Sequence, residues 1–255
     1  MTQQPPPARA SVPQRLLRAA ADGAYAAFVR RLVNRVLGGR SRVVRIRTGP
    51  ARGARLELDL RSEKAYWLGH YEPEVQALLC SELRPGDCFF DVGANIGFFT
   101  VLAGRLGARV VAIEPDPVNA RRVERNAALN DVNAQVVAAA AWDAEGSVDL
   151  VRGGSGSEWS AKPGKGVPSV TLDGVAAENG LPDIVKLDVE GAEGRVLRGA
   201  ESVLASRPRL VICEVHGNAN EDEVRALLGG WRVETVGGPS RLAARPPAGD
   251  TLRTP

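Results

Sequence analysis

The sequence predicts an α/β fold: a mostly parallel sheet covered by helices on both faces, preceded by a helix and a strand pair. Three observations carry this. Short apolar runs at 88–92, 109–113, 134–138, 184–187 and 210–213 have the length of strands buried on both faces. Helical periodicity fills intervals at 97–105, 119–129 and 192–206, the crossover pattern that parallel strands require. The chain closes on two alternating stretches, 231–236 and 241–244, around Gly237-Gly238-Pro239, which read as an antiparallel edge hairpin or a partly detached flap.

The N-terminal elements differ in kind. Three consecutive prolines and no apolar cluster predict a disordered tail over 1–13. Leu17, Ala21, Tyr25, Phe28, Leu32 and Val36 then recur three or four apart and stop at Gly38-Gly39, which is an amphipathic helix. It covers a domain edge or makes a dimer contact, with a membrane-surface or nucleic-acid contact as the alternative. Charged and apolar residues alternate over 43–47 and 55–60, which predicts a strand pair, and a helix is expected over 73–83. The domain plan is therefore a tail over 1–13, an extension over 14–70 and a main domain over 71–250. Within the main domain, residues 152–165 carry four glycines, with Gly166 a fifth before Val167, and an isolated Trp159, a flexible loop or a lid over a substrate site.

Composition narrows the function classes. A chain of 255 residues with 44% apolar content is long enough for one substantial core. No apolar stretch approaches a membrane span, and the opening MTQQPPPAR is too polar for a secretory signal, so a cytoplasmic protein is expected. Cys80, Cys88 and Cys213 lie far apart in or beside apolar runs and read as reduced core residues. Thirteen arginines and no lysine against three acids give residues 1–61 a charge of +10, leaving −7 for the rest of a chain that totals +3.

The stretch FFDVGANIGFF joins the first apolar run to a helix. Gly93 and Gly97 permit close backbone approach, and the helix that follows presents unpaired N–H groups. Asn95 stands where a dinucleotide fingerprint has its second glycine, and there is no Walker lysine. Glu114, at the tip of the next strand, is placed to accept hydrogen bonds from a ribose diol. Turn and acid together point to a ribose-containing cofactor.

The segment 71–216 resembles the FkbM family of S-adenosylmethionine-dependent methyltransferases. The resemblance is carried by Tyr71-Glu72, FFDVGANIGFFTVLA, VVAIEPDP, NAALN, VTLDGV, DIVKLDVEGAEGRVLRGAESVL and VICEVHG, in that order. It implies a class I, Rossmann-like methyltransferase domain with a seven-stranded sheet whose last strand is reversed, and methyl transfer to an oxygen of a small metabolite or sugar. Asp91, Gly93, Asn95 and Gly97 would line the methionine and sugar end, Glu114 would hold the ribose, and Ala141-Trp142 would flank adenine. Trp142 either stacks on the base or lies below the sheet. Tyr71 and Glu72 would be pocket residues, with an ordinary helix-start carboxylate as the alternative for Glu72.

Chemistry is expected at the carboxyl ends of the strands. VKLDVEGAE places Lys186, Asp188, Glu190 and Glu193 at one end, and CEVHG places Glu214 and His216 at another. Lys186 and Asp188 share one side of their strand and could form an internal ion pair. Asp188 should face the reactive sulfonium and align the acceptor, His216 is the expected base with Glu214 as its orienting group, and Lys186 could stabilise developing alkoxide charge. Glu190, Glu214 and Trp159 join Tyr71 and Glu72 as candidate acceptor contacts. Asp188, Glu214 and His216 also form a candidate ligand set for a divalent ion, the metal-assisted alternative.

The leading expectation is thus an O-methyltransferase for a small hydroxylated acceptor: a natural product, sugar or glycosylated intermediate. Methylation of RNA or another anionic polymer is the alternative, supported by the basic front end. Against it, the arginines precede the main domain and no Asn-Pro-Pro-aromatic sequence follows the 184–187 strand. A non-catalytic module that only binds S-adenosylmethionine is the third reading. A homo-oligomer through the N-terminal helix is compatible with all three.

Overall fold

The computed structural model describes residues 41–152 and 159–247. The expected tail over 1–13, the amphipathic helix after it, and the 153–158 part of the glycine-rich segment lie outside the described residues. The chain divides into two compact units, Met1–Arg42 with Leu58–Lys64 and Val43–Glu57 with Ala65–Pro255. The functional residues described below all belong to the second.

A two-stranded sheet of β1 (Arg42–Arg45) and β2 (Arg55–Leu58) comes first, followed by α1 (Lys64–Leu68) and α2 (Pro73–Glu82). The main domain then alternates β3 (Cys88–Val92), α3 (Phe98–Arg105), β4 (Arg109–Ile113), α4 (Pro117–Ala128) and β5 (Ala134–Val137). After an inserted sheet and α5 (Leu172–Asn179), it continues through β10 (Ile184–Leu187), α6 (Glu193–Arg198), α7 (Glu201–Ala205), β11 (Leu210–Glu214) and α8 (Asn218–Leu227). It ends with β12 (Arg232–Thr235) and β13 (Arg241–Arg245). The main sheet has seven strands in the order β12-β13-β11-β10-β3-β4-β5. All neighbouring pairs from β11 to β5 are parallel, and β13 runs antiparallel between β11 and β12. The closing hairpin is therefore part of the sheet, with its second strand inserted inside its first.

The apolar runs form the interior because every residue of β3 and β10 is buried. Phe90, Val92, Val111, Ile113, Val185, Leu187 and Val211 belong to one core cluster with Val196 and Leu197 of α6. Chain connections leave β3 in one direction and β10 in the other, so a crevice opens where the strand order reverses. Register fixes its floor: Val92 pairs with Leu187, and Asp188 N–H donates to the Val92 carbonyl at 3.0 Å.

Several elements depart from expectation. The helix expected over 192–206 is broken at Gly199-Ala200 into α6 and α7. Gly199 lies so close to the Trp142 carbonyl that a Cβ there would sit 2.3 Å from its oxygen. Its own carbonyl is taken by Asp173 N–H, while the Asp173 carboxylate accepts from Ser202 and Val203 N–H and so starts α7 separately. Helices α5 and α8 had no apolar repeat long enough to be read. Thr171 nonetheless caps α5 by accepting from Gly174 N–H at 3.0 Å.

Of the segment expected as a flexible loop or lid over 152–165, the described residues 152 and 159–163 are strand. β7 (Gly146–Arg152) pairs antiparallel with β8 (Trp159–Pro163), so Trp159 stands on a strand opposite Arg152. With β6 (Ala140–Ala141) and β9 (Val167–Val170) these form a four-stranded sheet, β6-β9-β7-β8. Gly164 and Gly166 obscured the pattern because they serve contact: a Cβ on Gly164 would fall 2.0 Å from Cγ of Asp149, whose Oδ1 accepts from Lys165 N–H. Cys88 and Cys213 are buried as expected, but Cys80 is exposed on α2. Among the described residues no helix is long and apolar enough to cross a membrane.

Candidate active site

The crevice is built on the turn between β3 and α3. Gly93, Asn95 and Gly97 all have positive φ, at 77°, 51° and 80°. Asn95 is one of the few non-glycine types that tolerates this region. The Ile113 carbonyl at the tip of β4 accepts from Gly93 and Ala94 N–H. A buried asparagine braces the turn from behind: Asn126 on α4 donates to the Ile96 carbonyl at 2.8 Å and accepts from Glu57 N–H at 2.7 Å.

Glu114 follows β4 and is 5% exposed. Its Oε2 accepts from Asn95 N–H at 2.8 Å and its Oε1 from Asp116 N–H at 2.9 Å. Each oxygen keeps a second lone pair. Burial raises the Glu114 carboxyl from the ordinary 4.5 to about 7, outweighing the two backbone donors that lower it.

Gly93, Asn95, Glu114 and Asp188, together with Ala140 and Ala141, line the crevice. These fit a nucleoside cofactor. Gly93 lets the turn close onto the Asp188 carbonyl, Glu114 presents a carboxylate aimed by two amides, and the alanines leave an apolar slot. Among the wall residues that escaped the sequence reading are Asn119 of α4 and Leu150 of β7. Leu150 had no signal because β7 was not read as a strand.

Other predicted cofactor residues sit behind the wall. Asp91 is 1% exposed and accepts from the Thr100 hydroxyl at 2.6 Å beneath the turn. Gly97 allows helix contact, since a Cβ there would be 3.1 Å from Val123 Cα. Trp142 is buried with Ala140, Val148 and Ala192, and the Arg195 guanidinium lies 5.0 Å from its ring centroid. It is not part of the crevice wall, and only Ala141 of that pair reaches it.

A polar cluster adjoins the crevice. Lys186, 3% exposed on β10, pairs with Asp188 at 3.3 Å and lies 5.1 Å from the Phe99 ring centroid. Burial alone would depress its ammonium, but Asp188, Asp91 and Glu72 outweigh burial and hold it charged. Tyr66, Tyr71, Phe98 and Phe99 form a contiguous aromatic group, with the two tyrosine rings 4.1 Å apart. Burial first, then the neighbouring Tyr66, Glu72 and Asp188, push the Tyr71 phenol far up, so it stays a hydrogen-bond donor.

The expected pairing of Glu214 with His216 does not form. Glu214 is the register partner of Arg241 on β13 and accepts from its Nε at 3.1 Å. His216 instead places Nδ1 2.9 Å from Glu193 Oε1 and Nε2 3.4 Å from Glu190 Oε2. Glu193 is wholly buried at the start of α6, where Gly191 N–H and the Asn220 amide also hold it. The hydrogen bond to Glu193, offset in part by burial and reinforced by Glu190, raises His216 to about 9. At neutral pH it is an imidazolium, not the neutral base expected of it.

The expected ligand trio Asp188, Glu214 and His216 is also divided. Two separate groups share Asp188, one with Glu190 and His216, the other with Glu72 and Glu214, each with its ligand atoms within 4.8 Å. Lys186 already faces Asp188, Arg241 faces Glu72 and Glu214, and His216 bridges Glu190 to Glu193. Each carboxylate of the two groups therefore already faces a cation, although Arg241 and His216 are each shared between two.

A seven-stranded sheet with a reversed last strand, a glycine turn at the switch point and an acid on the neighbouring strand tip are the features of the Rossmann-like class I methyltransferase fold. Residues 91–235 match the model of the methyltransferase FkbM domain, and the chain belongs to that family of S-adenosylmethionine-dependent enzymes. It is similar to the 31-O-demethyl-FK506 methyltransferase FkbM of Streptomyces tacrolimicus, 34% identical over 61% of this chain and 75% of that one. It is also similar to the hexuronic acid methyltransferase AglP of Haloferax volcanii, 29% identical over 64% of this chain and 70% of the other. Among solved structures, the ribosomal protein L11 methylase of Lactobacillus delbrueckii subsp. bulgaricus aligns with a TM-score of 0.46 and 14% identity over 70% of this chain and 80% of that one.

Proposed function

We propose that this methyltransferase acts on a hydroxyl oxygen of a small natural product, sugar or glycosylated intermediate. The observation that carries the reading is the carboxylate cluster beside the crevice, in which Glu72, Asp188 and Glu214 lie together with one ammonium and one guanidinium. Carboxylates accept hydrogen bonds from a polyhydroxylated acceptor and fix one oxygen for attack. When bound, S-adenosylmethionine supplies an electrophilic methyl carbon. The charged Lys186 stabilises negative charge as it develops on the acceptor oxygen, and Asp188 orients that oxygen. His216 clamps Glu190 and Glu193 and so holds the turn after β10 in shape. The names of the two relatives, one for a 31-O-demethyl compound and one for a hexuronic acid, support an oxygen acceptor.

The test is to incubate the enzyme with methyl-labelled S-adenosylmethionine and small-molecule extracts. The label is expected in a methyl ether that survives mild alkali. Label in an alkali-labile ester or on nitrogen would count against hydroxyl transfer.

One observation favours a second reading, an anionic polymer as acceptor. Arg45, Arg47 and Arg52 line a surface hollow with Ile46 and Gly53, and all three are exposed. Residues 41–55 contain five arginines and no acid. If these three bound single-stranded RNA phosphates, log K would fall by roughly 2 per tenfold rise in salt, at about 0.7 per contact. The small-molecule reading expects a single-stranded RNA oligonucleotide to show no such slope. A steep slope abolished in the Arg45→Gln, Arg47→Gln, Arg52→Gln variant would transfer support to the polymer.

A further inference from the structure

We propose that Glu72 is the group that takes the acceptor's hydroxyl proton, and that Arg241 positions it. The inference rests on the hydroxyl-transfer reading above and names a base that the sequence had placed at His216.

Glu72 occupies the cap position of α2, yet its side chain makes no capping hydrogen bond. The hydrogen-bonding role of a carboxylate at a helix cap is therefore absent. Its backbone is also strained, with φ 43° and ψ 64°. The left-handed region is uncommon for a non-glycine residue, and the proline that follows favours extended backbone instead. Such an outlier persists where the surroundings enforce it. Here it aims the side chain inward: the carboxylate is 10% exposed and its Oε2 has no hydrogen-bond partner.

The other candidates are committed. His216 has a carboxylate at each ring nitrogen, Asp188 holds Lys186, and Glu214 accepts from both Nε and Nη2 of Arg241. Glu72 alone among the clustered carboxylates Glu72, Asp188 and Glu214 has an oxygen in this buried setting with no hydrogen bond. Arg241 reaches it at 3.5 Å, close enough to fix its place and too far to occupy that oxygen with a good hydrogen bond. Arg241 comes from the reversed strand and lies outside the 91–235 family match, so nothing in that match points to it.

Burial raises the Glu72 carboxyl above the ordinary range. Lys186, the Tyr71 hydroxyl and Arg241 pull it down, Asp188 pushes it up, and the net direction is upward. A carboxylate of raised basicity accepts a proton more readily near neutral pH than an exposed one. As the acceptor oxygen forms its bond to the methyl carbon, the carbon–sulfur bond breaks with its electron pair to sulfur, and the O–H proton passes to Glu72. The positive sulfonium and the negative carboxylate become a thioether and a carboxylic acid, so charge balances without a further reactant.

The experiment compares full-length wild type with Glu72→Gln, Glu72→Asp, Arg241→Gln and Arg241→Lys. Labelled S-adenosylmethionine and the same extracts are used. Glu72→Gln should bind S-adenosylmethionine within twofold of wild type but transfer methyl at least about 100-fold more slowly. The acidic limb of the wild-type rate profile should vanish with it, and Glu72→Asp should be intermediate. Arg241→Gln should move that limb to higher pH, and Arg241→Lys should restore most of its position. As a readout independent of turnover, carbon-13 NMR of glutamate carboxyls should show a resonance titrating above the ordinary range that is missing in Glu72→Gln. Transfer by Glu72→Gln within threefold of wild type, or no such resonance, overturns the assignment. Absence of product from wild type in every extract overturns the hydroxyl-transfer reading and removes this one with it. If Glu72→Gln does not fold, the Arg241 limb shift and the wild-type titration decide.

Discussion

Replacing Gly93 with alanine is expected to abolish measurable S-adenosylmethionine binding and to lower the melting temperature by about 10 °C. A Cβ at this position would lie 1.8 Å from the Asp188 carbonyl oxygen and 2.8 Å from its carbon. Those are backbone atoms at the end of the central strand β10, so no side-chain rotation relieves the overlap. The φ of 77° adds about 1–2 kcal/mol for any residue with a Cβ. With forced separation of two hydrogen-bonded strand ends costing another 1–3 kcal/mol or so, the total is about 4 kcal/mol. At about 2–4 °C per kcal/mol for a domain of this size, the shift follows. Because Asp188 also lines the crevice, relaxation of the strain would move cofactor and acceptor groups together. Scanning calorimetry and ligand titration check it. An unchanged melting temperature with normal binding would show that the turn is not packed against β10 as described.

Replacing Glu114 with alanine should weaken S-adenosylmethionine binding at least about 100-fold, while circular dichroism stays native. Two hydroxyl donors to a buried carboxylate contribute about 1.5–3 kcal/mol each, and 100-fold corresponds to about 2.7 kcal/mol. The substitution also leaves Asn95 and Asp116 N–H without their acceptor, which loosens the turn. Wild-type affinity should depend on pH for the same reason. The Glu114 carboxyl lies near 7 in the free protein, so below that pH it is protonated and loses acceptor capacity. Affinity should therefore fall as pH drops below 7 and level off above it. The sign for stability is opposite. A carboxyl raised from 4.5 to about 7 favours its protonated form in the fold, so the free protein loses stability at this site as pH rises between those values. Glu114→Ala should remove both dependences. Calorimetric affinity that stays flat between pH 5.5 and 8 would refute the assignment.

Much of the fold was legible because buried parallel strands leave a continuous apolar signal. The runs at 88–92, 109–113 and 184–187 became β3, β4 and β10 with little adjustment. Glu114 and Asp188 were legible for a related reason: a polar residue right after such a run must stand at the strand tip. The four-stranded insertion was hidden, since Gly164 and Gly166 were selected by contact with Asp149 and broke the strand pattern. The break at Gly199 was equally invisible, because its cause is a carbonyl fifty-seven positions earlier at Trp142.

By itself the sequence determined the alternation of strands and helices, the place of the glycine turn and the identity of the acids at the strand tips. All of these depend on neighbours within a few residues. Only the tertiary structure decided which charges meet. Arg241 faces Glu214 because β13 inserts antiparallel beside β11, and it reaches Glu72 from the opposite end of the domain. His216 meets Glu193 rather than Glu214 because strand geometry turns Glu214 toward β13, while α6 brings Glu193 beside the ring. Strand register and helix docking are set by the sum of core contacts, and a one-residue shift would redirect every side chain that chooses the base.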